Sequence, residues 1–215
     1  MSKYNRLVAY GSSPIDGTEL PNRDKNLAFP ARLATVMALD YECRGKPLSS
    51  NTKIARKVLS GEYTDQDLVF VMYSAPNRYE FKTEHGWKNF TSWHEARDGI
   101  IREWLDGPGK LEYTEVHTTL KEIILTQEFL KQKNLPYIFA FDNNAIRDSF
   151  ILKEPDAYIA SLNSMIDWDK FYWFEGSGFI NWAKDNGFPF TGTHAGVEAH
   201  IAATDYILTN WKATF

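Results

Sequence analysis

"LVAYGSSPIDGTELP", residues 7–21, is the stretch that most constrains the fold. Its first four residues are apolar and predict a buried β-strand, which stops at Gly11. Two serines, a proline and Gly17 follow, which is more than a simple turn needs. A strand that ends in a tight loop with a hydroxyl group is also how several hydrolases present a nucleophile. The stretch therefore predicts either an inactive turn or a loop that exposes Ser13.

Apolar runs and segments of helical periodicity alternate along the rest of the chain. The predicted strands are 6–11, 41–43, 67–74 and 135–142, and the predicted helices are 29–40, 49–61, 115–134 and 195–211. This alternation predicts an α/β fold, a three-layer α/β/α sandwich with a mainly parallel central sheet. No linker or repeat divides residues 1–215, so we expect a single domain. Residues 82–113 are rich in aromatic side chains and are predicted to be an insertion with a helix near 91–105.

The composition is that of an ordinary globular protein. Hydrophobic residues make up 43% and charged residues 24%, and the net charge of −4 gives no electrostatic footprint for nucleic acid. Cys43 is the single cysteine, so an internal disulfide is excluded and a Cys-ligated metal site is implausible. No signal peptide and no window of roughly 18 apolar residues is found. We therefore expect a cytoplasmic protein without nucleic-acid or membrane partners, metal or cofactor, and the oligomeric state stays open.

Polar loops follow three of the predicted strands. They are GSSPIDG after Tyr10, YSAPNR after Met72 and DNNAIRD after Phe141. Ligands of an open parallel sheet bind beyond the carboxyl ends of its strands, where these loops would meet. This convergence favours one site over three independent turns. Arg78, Glu80 and Arg147 follow strand ends and fit contacts with an anionic or sugar substrate. The segment RYE equally fits a structural ion-pair cluster, which we favour.

A nucleophilic serine needs a histidine that takes its proton. Three of the five histidines are predicted to lie in the insertion or early in a helix, where surface and packing roles are usual. His194 differs, because it lies in the glycine-punctuated loop PFTGTHAGVEAH that opens the last helix, whereas His200 falls within that helix. His194 is therefore the candidate partner of Ser13, with an inactive turn at Ser13 as the alternative. The spacing of His194, Glu198 and His200 matches no helical zinc motif.

Both segments resemble motifs of the SGNH, or GDSL-type, hydrolases. The first block of that family, Gly-Asp-Ser-x-x-x-Gly, is similar to GSSPIDG at 11–17, with Ser13 at the nucleophile position. Its last block is similar to GTHAGVEAH, with His194 as the general base. Other similar stretches follow in the family's order: FPARLA, PLSSNTKIARKVL, VMYSAPNRYEF and INWAKDNGFP. The chain looks closest to small SGNH-like proteins of tailed bacteriophages, which implies a flavodoxin-like fold and a location in the host cytoplasm.

The resemblance also implies groups that bind an oxyanion. The family uses backbone N–H groups and an asparagine, and the matching segments here are KPLSSN and SAPNR. The candidates are Ser13, Leu48, Ser49, Asn51 and Asn77. Ser12 replaces the aspartate of the family's first block, which mainly braces the loop.

A further departure concerns the group that orients the histidine. The family has an aspartate three residues before it, whereas Thr191 stands at that position here. Asp142, Asp185 or a backbone carbonyl would then orient His194.

These features imply a serine hydrolase of esterase or deacetylase type that cleaves a small ester, for example on a carbohydrate. The alternatives are an acyltransferase of the same fold and a catalytically inactive binding or accessory protein of phage origin, which the departures favour. The aromatic side chains of the insertion exceed what one short helix must bury. We therefore expect at least one of Trp87, Phe90, Trp93 and Trp104 to line the pocket beside Ser13.

Overall fold

The computed structural model describes residues 4–18, 20–91, 112–152 and 157–210. Its strands, in chain order, are β1 (Arg6–Tyr10), β2 (Asp40–Cys43), β3 (Asp67–Tyr73), β4 (Arg78–Thr83), β5 (Gly86–Thr91), β6 (Tyr137–Phe141), β7 (Phe171–Tyr172), β8 (Phe190–Thr191) and β9 (His194–Ala195). Its helices are α1 (Ser13–Asp16), α2 (Phe29–Val36), α3 (Asn51–Leu59), α4 (Glu112–Gln132), α5 (Ala145–Leu152), α6 (Ala157–Ser164), α7 (Phe179–Asp185) and α8 (Val197–Asn210).

A five-stranded parallel sheet forms the centre of the fold. Its strand order is β2-β1-β3-β6-β7, and every pairing in it is parallel. Two antiparallel pairs, β4-β5 and β8-β9, lie outside this sheet. Counted along the chain, the sheet strands have the order 2-1-3-4-5 of flavodoxin-like folds, whose direction of winding changes between the first and third strands.

Each face of the sheet is covered by helices because alternate side chains of the buried strands are apolar on both faces. On one face, Leu7 and Phe70 belong to a core that includes residues of α2, α7 and α8. On the other face, Val8 and Phe139 belong to a core that includes residues of α3 and α4. The predicted α/β fold with a mainly parallel sheet between helices is confirmed.

The predicted strands and helices are present with small shifts in their ends. The hairpin β4-β5 and the helices α5 to α7 were not predicted, and the helix expected near 91–105 lies outside the described residues. None of the helices in the described ranges combines the length and apolar character needed to cross a bilayer.

Candidate active site

The serine loop leaves β1 at Gly11 and turns at once into α1, which begins with Ser13. A side chain at Gly11 is excluded, because its Cβ would lie 2.5 Å from Ile15 Cγ1 and 3.0 Å from the Met72 carbonyl oxygen. Glycine therefore lets the loop pass close to β3. Ser13 is only 5% exposed, and its hydroxyl makes no hydrogen bond within the described part of the chain. The Ser13 hydroxyl thus holds no other part of the described structure in place.

The carboxyl ends of β1, β3 and β6 place three polar loops at one edge of the sheet. Tyr10 pairs with Val71, and Tyr73 pairs with Phe141, so these strands end side by side. The Asp142 N–H continues the ladder by donating to the Tyr73 carbonyl oxygen at 2.8 Å. The site therefore lies where the winding of the sheet changes direction, which is the usual ligand position in such folds.

Asp142 carries a buried carboxylate into this edge. Its Oδ2 accepts a hydrogen bond from Ser12 Oγ at 3.1 Å, and its Oδ1 accepts one from Asn143 Nδ2 at 2.7 Å. Burial raises the pKa of Asp142 to about 6, and the Arg78 charge, the Ser12 bond and His194 oppose that rise. The carboxylate thus links the loop after β6 to the residue next to Ser13. Asp185, the other orienting candidate, is exposed at the end of α7.

His194 begins β9, which lies beside the serine helix. Cα atoms of α1 and β9 approach to within 8 Å, and His194 Nδ1 lies 3.3 Å from Thr193 Oγ1. The sequence placed this histidine at the start of the last helix, and the structure places it in a short strand just before α8. The Ser13 hydroxyl does not hydrogen-bond His194 in this structure. A catalytic proton transfer needs a contact of roughly 3 Å, which often forms only once substrate is bound.

His200 has a structural role. Its Nδ1 accepts a hydrogen bond at 3.0 Å from the backbone N–H of Phe29, the first residue of α2. The first N–H groups of a helix lack partners within the helix, so the imidazole satisfies one of them. His200 is 3% exposed, and burial lowers its pKa to about 3. This neutral ring acts as a cap between α8 and α2.

The loop after β2 carries two of the candidate oxyanion donors. Its Lys46 N–H donates to the Gly11 carbonyl oxygen at 3.1 Å, which ties it to the serine loop. The Ser49 N–H and hydroxyl both donate to the Lys46 carbonyl oxygen, at 3.3 and 2.8 Å. Ser49 is thereby used within the turn. Leu48 adopts a φ of +56° and is 40% exposed.

Asn51 joins three elements. Its Nδ2 donates to the Ser74 carbonyl oxygen at 3.1 Å and to Thr119 Oγ1 at 3.0 Å, and its Oδ1 accepts from the Ser74 N–H at 2.7 Å. Both amide hydrogens are therefore spent on holding α3 to the end of β3 and to α4. The side chain has no donor left for an oxyanion, in contrast to the expectation from sequence. Asn77 lies half-buried in the loop between β3 and β4, and its oxyanion role stays a prediction.

Glu80 forms a structural ion pair, but its partner is Arg56 of α3 and not a residue of the RYE segment as the sequence suggested. Both of its carboxylate oxygens accept from the Arg56 guanidinium at 2.9 Å, and Glu80 is buried. Arg56 also lies over the Trp87 ring, 4.4 Å from its centroid. Arg78 differs, because its charge acts on the Asp142 carboxyl at the site.

The described aromatic residues of the predicted insertion lie in the hairpin β4-β5. Trp87 lines a groove of about 430 Å³ with residues of α3 and α4, and no candidate site residue lines that groove. Phe90 packs on Phe81, with 5.9 Å between ring centroids. Trp93 and Trp104 lie outside the described residues. The expected aromatic pocket wall beside Ser13 therefore gains no support from Trp87 or Phe90.

Sequence reasoning missed Asn89, a residue of β5 that contacts the loop carrying Leu48. Its Oδ1 accepts from the Ser50 N–H at 3.3 Å, and its Nδ2 donates to the Leu48 carbonyl oxygen. The alternation of aromatic and polar residues in RYEFKTEHGWKNFT, with a glycine near its middle, was the available signal for the hairpin.

The sequence matches no protein-family model and no curated protein. Solved structures are similar in fold. A lipolytic protein of the G-D-S-L family from Veillonella parvula has a TM-score of 0.55 at 12% identity, over 96% of this chain and 97% of that chain. A mutant of the esterase AlinE4 has a TM-score of 0.51 at 14% identity, over 100% of both chains. The acetyl xylan esterase Est2A from Butyrivibrio proteoclasticus has a TM-score of 0.50 at 14% identity, over 97% of this chain and 64% of that chain.

Proposed function

We propose that the protein is a serine hydrolase of SGNH type that cleaves a small ester, with Ser13 as nucleophile and His194 as general base. One observation carries the proposal: the loop that leaves β1 brings a buried serine, Ser13, whose hydroxyl makes no hydrogen bond within the described part of the fold, and the helix that Ser13 begins lies beside the strand that begins with His194. The fold similarity to lipolytic proteins and esterases supports it, since the serine loop and the histidine occur in the same order as in that family's motifs.

In the proposed reaction, Ser13 Oγ attacks the ester carbonyl carbon while its proton passes to His194. The Nδ1 of His194 lies next to Thr193, so Nε2 is the nitrogen that would face the serine. The backbone N–H groups of Ser13 and Leu48 stabilise the oxyanion of the tetrahedral intermediate. The alcohol then leaves with the proton from His194, and water hydrolyses the acyl-enzyme by the same steps.

Asp142 is the proposed carboxylate partner of this pair. Its negative charge and His194 interact, so an ionised Asp142 stabilises the imidazolium that forms when His194 accepts the serine proton. Asp185 is less suited, because it is exposed at the far end of α7. The substrate class, a small acyl ester such as an acetylated carbohydrate, follows from the family resemblance and from the small acyl group named for the xylan esterase.

The test is hydrolysis of p-nitrophenyl acetate by the wild type, Ser13→Ala, His194→Ala and the double variant. Each single change should lower kcat by at least about 1,000-fold, and the double variant should lose little more, because the two residues act as one unit. Ser60→Ala, which removes an exposed serine at the end of α3, is the matched control and should keep wild-type activity.

Labelling with a fluorophosphonate separates the remaining alternatives. A wild-type protein labelled at Ser13 that transfers acetyl groups to an alcohol faster than to water is an acyltransferase. A folded protein that neither reacts with the probe nor hydrolyses the ester refutes the proposal and leaves a binding or accessory protein.

A further inference from the structure

The loop that carries Leu48 is held in a conformation that its sequence disfavours. Leu48 has a φ of +56°, in the left-handed region where a Cβ crowds the backbone and where glycine is usual. Pro47 precedes it, and the Ser49 N–H bonds the Lys46 carbonyl oxygen, so the turn follows the type II pattern, in which glycine or asparagine is usual at the position of Leu48. Such strain persists only where surrounding contacts impose it.

The contacts that impose it come from both ends of the loop. At its start, the Lys46 N–H is bound to Gly11, two residues before Ser13. At its end, Asn89 holds the Leu48 carbonyl oxygen with Nδ2 and the Ser50 N–H with Oδ1. One amide side chain therefore bridges the two residues on either side of Ser49.

Asn89 is itself fixed, because the hairpin β4-β5 is anchored on α3. The Arg56 guanidinium on α3 makes two 2.9 Å hydrogen bonds to Glu80 of β4, and it lies over the Trp87 ring of β5. Ser50 caps α3 by accepting from the Lys53 N–H at 3.1 Å. The helix, the hairpin and the loop thus form one continuous framework.

Within the turn and the two residues that flank it, residues 46–50, the hydrogen bonds leave one backbone donor. Pro47 has no N–H, and the N–H groups of Lys46, Ser49 and Ser50 donate to Gly11, Lys46 and Asn89. Among the hydrogen bonds of the described residues, the Leu48 N–H is the donor of this segment that has no protein acceptor.

We propose that Asn89 is a positioning residue: by holding Leu48 in its left-handed conformation, it directs the Leu48 N–H at the oxyanion that forms on the Ser13 acyl intermediate. The inference rests on the proposed function. Without Asn89, the loop relaxes and the N–H turns away. An oxyanion donor binds the negatively charged oxygen of the transition state more strongly than the neutral carbonyl oxygen of the bound ester, so we expect the loss to fall mainly on kcat.

The variants Asn89→Ala, Asn89→Asp and Lys88→Ala test this on p-nitrophenyl acetate. Removing one oxyanion donor typically costs about 100- to 1,000-fold in kcat, so losing only its alignment is expected to cost about 10- to 100-fold, with KM within about twofold. Asn89→Asp keeps the bond to Ser50 but releases the Leu48 carbonyl, and it should lose kcat to a similar extent. Lys88→Ala, an exposed neighbour on the same strand, should match the wild type.

Thermal melting of each variant shows whether it is folded at the assay temperature. If Asn89→Ala melts below that temperature, Asn89→Asp decides the question. Folded Asn89 variants with wild-type kcat, or with a higher KM alone, overturn the inference while the hydrolase proposal stands. If the wild type hydrolyses the ester no faster than Ser13→Ala, the proposed function is refuted, and the inference about Asn89 is refuted with it.

Discussion

Replacement of Asp142 by asparagine should change the pH dependence of stability by an amount that follows from its burial. The carboxyl is buried, and its pKa rises from an ordinary value of 3.8 to about 6. At about 1.36 kcal/mol for each pKa unit, the free energy of unfolding is about 3 kcal/mol lower when Asp142 is ionised than when it is protonated. Because the pKa is raised on folding, the stability that protonation of Asp142 gives the fold is complete below pH 3.8 and is lost as the pH rises through 6. The wild type therefore bears this cost at pH 7.5, and the Asp142→Asn variant, which has no carboxyl to ionise, would not.

The assay is urea unfolding of the wild type and Asp142→Asn at pH 7.5 and pH 4. The free energy of unfolding of Asp142→Asn, minus that of the wild type, should be higher at pH 7.5 than at pH 4 by about 2–3 kcal/mol. The charged groups that act on Asp142 are Arg78 and His194, so the comparison is repeated in a His194→Gln background to remove coupled titration. A difference that does not vary with pH in either background would show that the carboxyl is not desolvated as described.

Two further predictions concern residues outside the catalytic pair. His200→Ala should leave kcat unchanged, and it should make the free energy of unfolding less sensitive to acid. Burial lowers the pKa of His200 from 6.5 to about 3, so the wild type loses stability as the pH falls from 6.5 towards 3. The full loss is roughly 5 kcal/mol. Urea midpoints across this range measure it, and an equal slope in the variant would contradict it. Arg56→Ala should lower the free energy of unfolding by about 3–5 kcal/mol, because it leaves the buried Glu80 carboxylate without its ion-pair partner. The double variant with Glu80→Gln should lose less stability, because it has no buried charge. Equal losses in the single and double variants would show that the pair is not the cause.

The parallel sheet could be predicted because its strands are apolar on both faces and have a clear local pattern. The segment DLVFVMYS, for example, is buried throughout β3, as its composition indicates. The hairpin β4-β5 was not predicted, although the alternation of strand residues is present in it. Its side chains pack on α3, and local periodicity does not reveal such a partner.

The candidate site was predictable at the level of its loops but not of its hydrogen bonds. Position after a strand made Ser13 and Asp142 candidates, and both lie at the carboxyl edge of the sheet, while their catalytic roles stay predictions. The Asn51 amide is bound to Ser74 and Thr119, which lie 23 and 68 residues further along the chain, so the sequence could not show that it is unavailable to an oxyanion. The contacts of Asn89 could not be predicted for the same reason, since its partners lie 41 and 39 residues away.

The bond between Phe29 and His200 has a consequence for folding kinetics. It joins positions 171 residues apart and pins α8 onto α2, so the loop that it closes is among the longest that the chain can form. Closing so long a loop costs conformational entropy, so contacts of this separation form late in folding, after the local helices and neighbouring strands. An interaction absent from the transition state changes the unfolding rate rather than the folding rate. The imidazole of His200 therefore affects the lifetime of the native state, through the unfolding rate, more than the speed with which the native state forms.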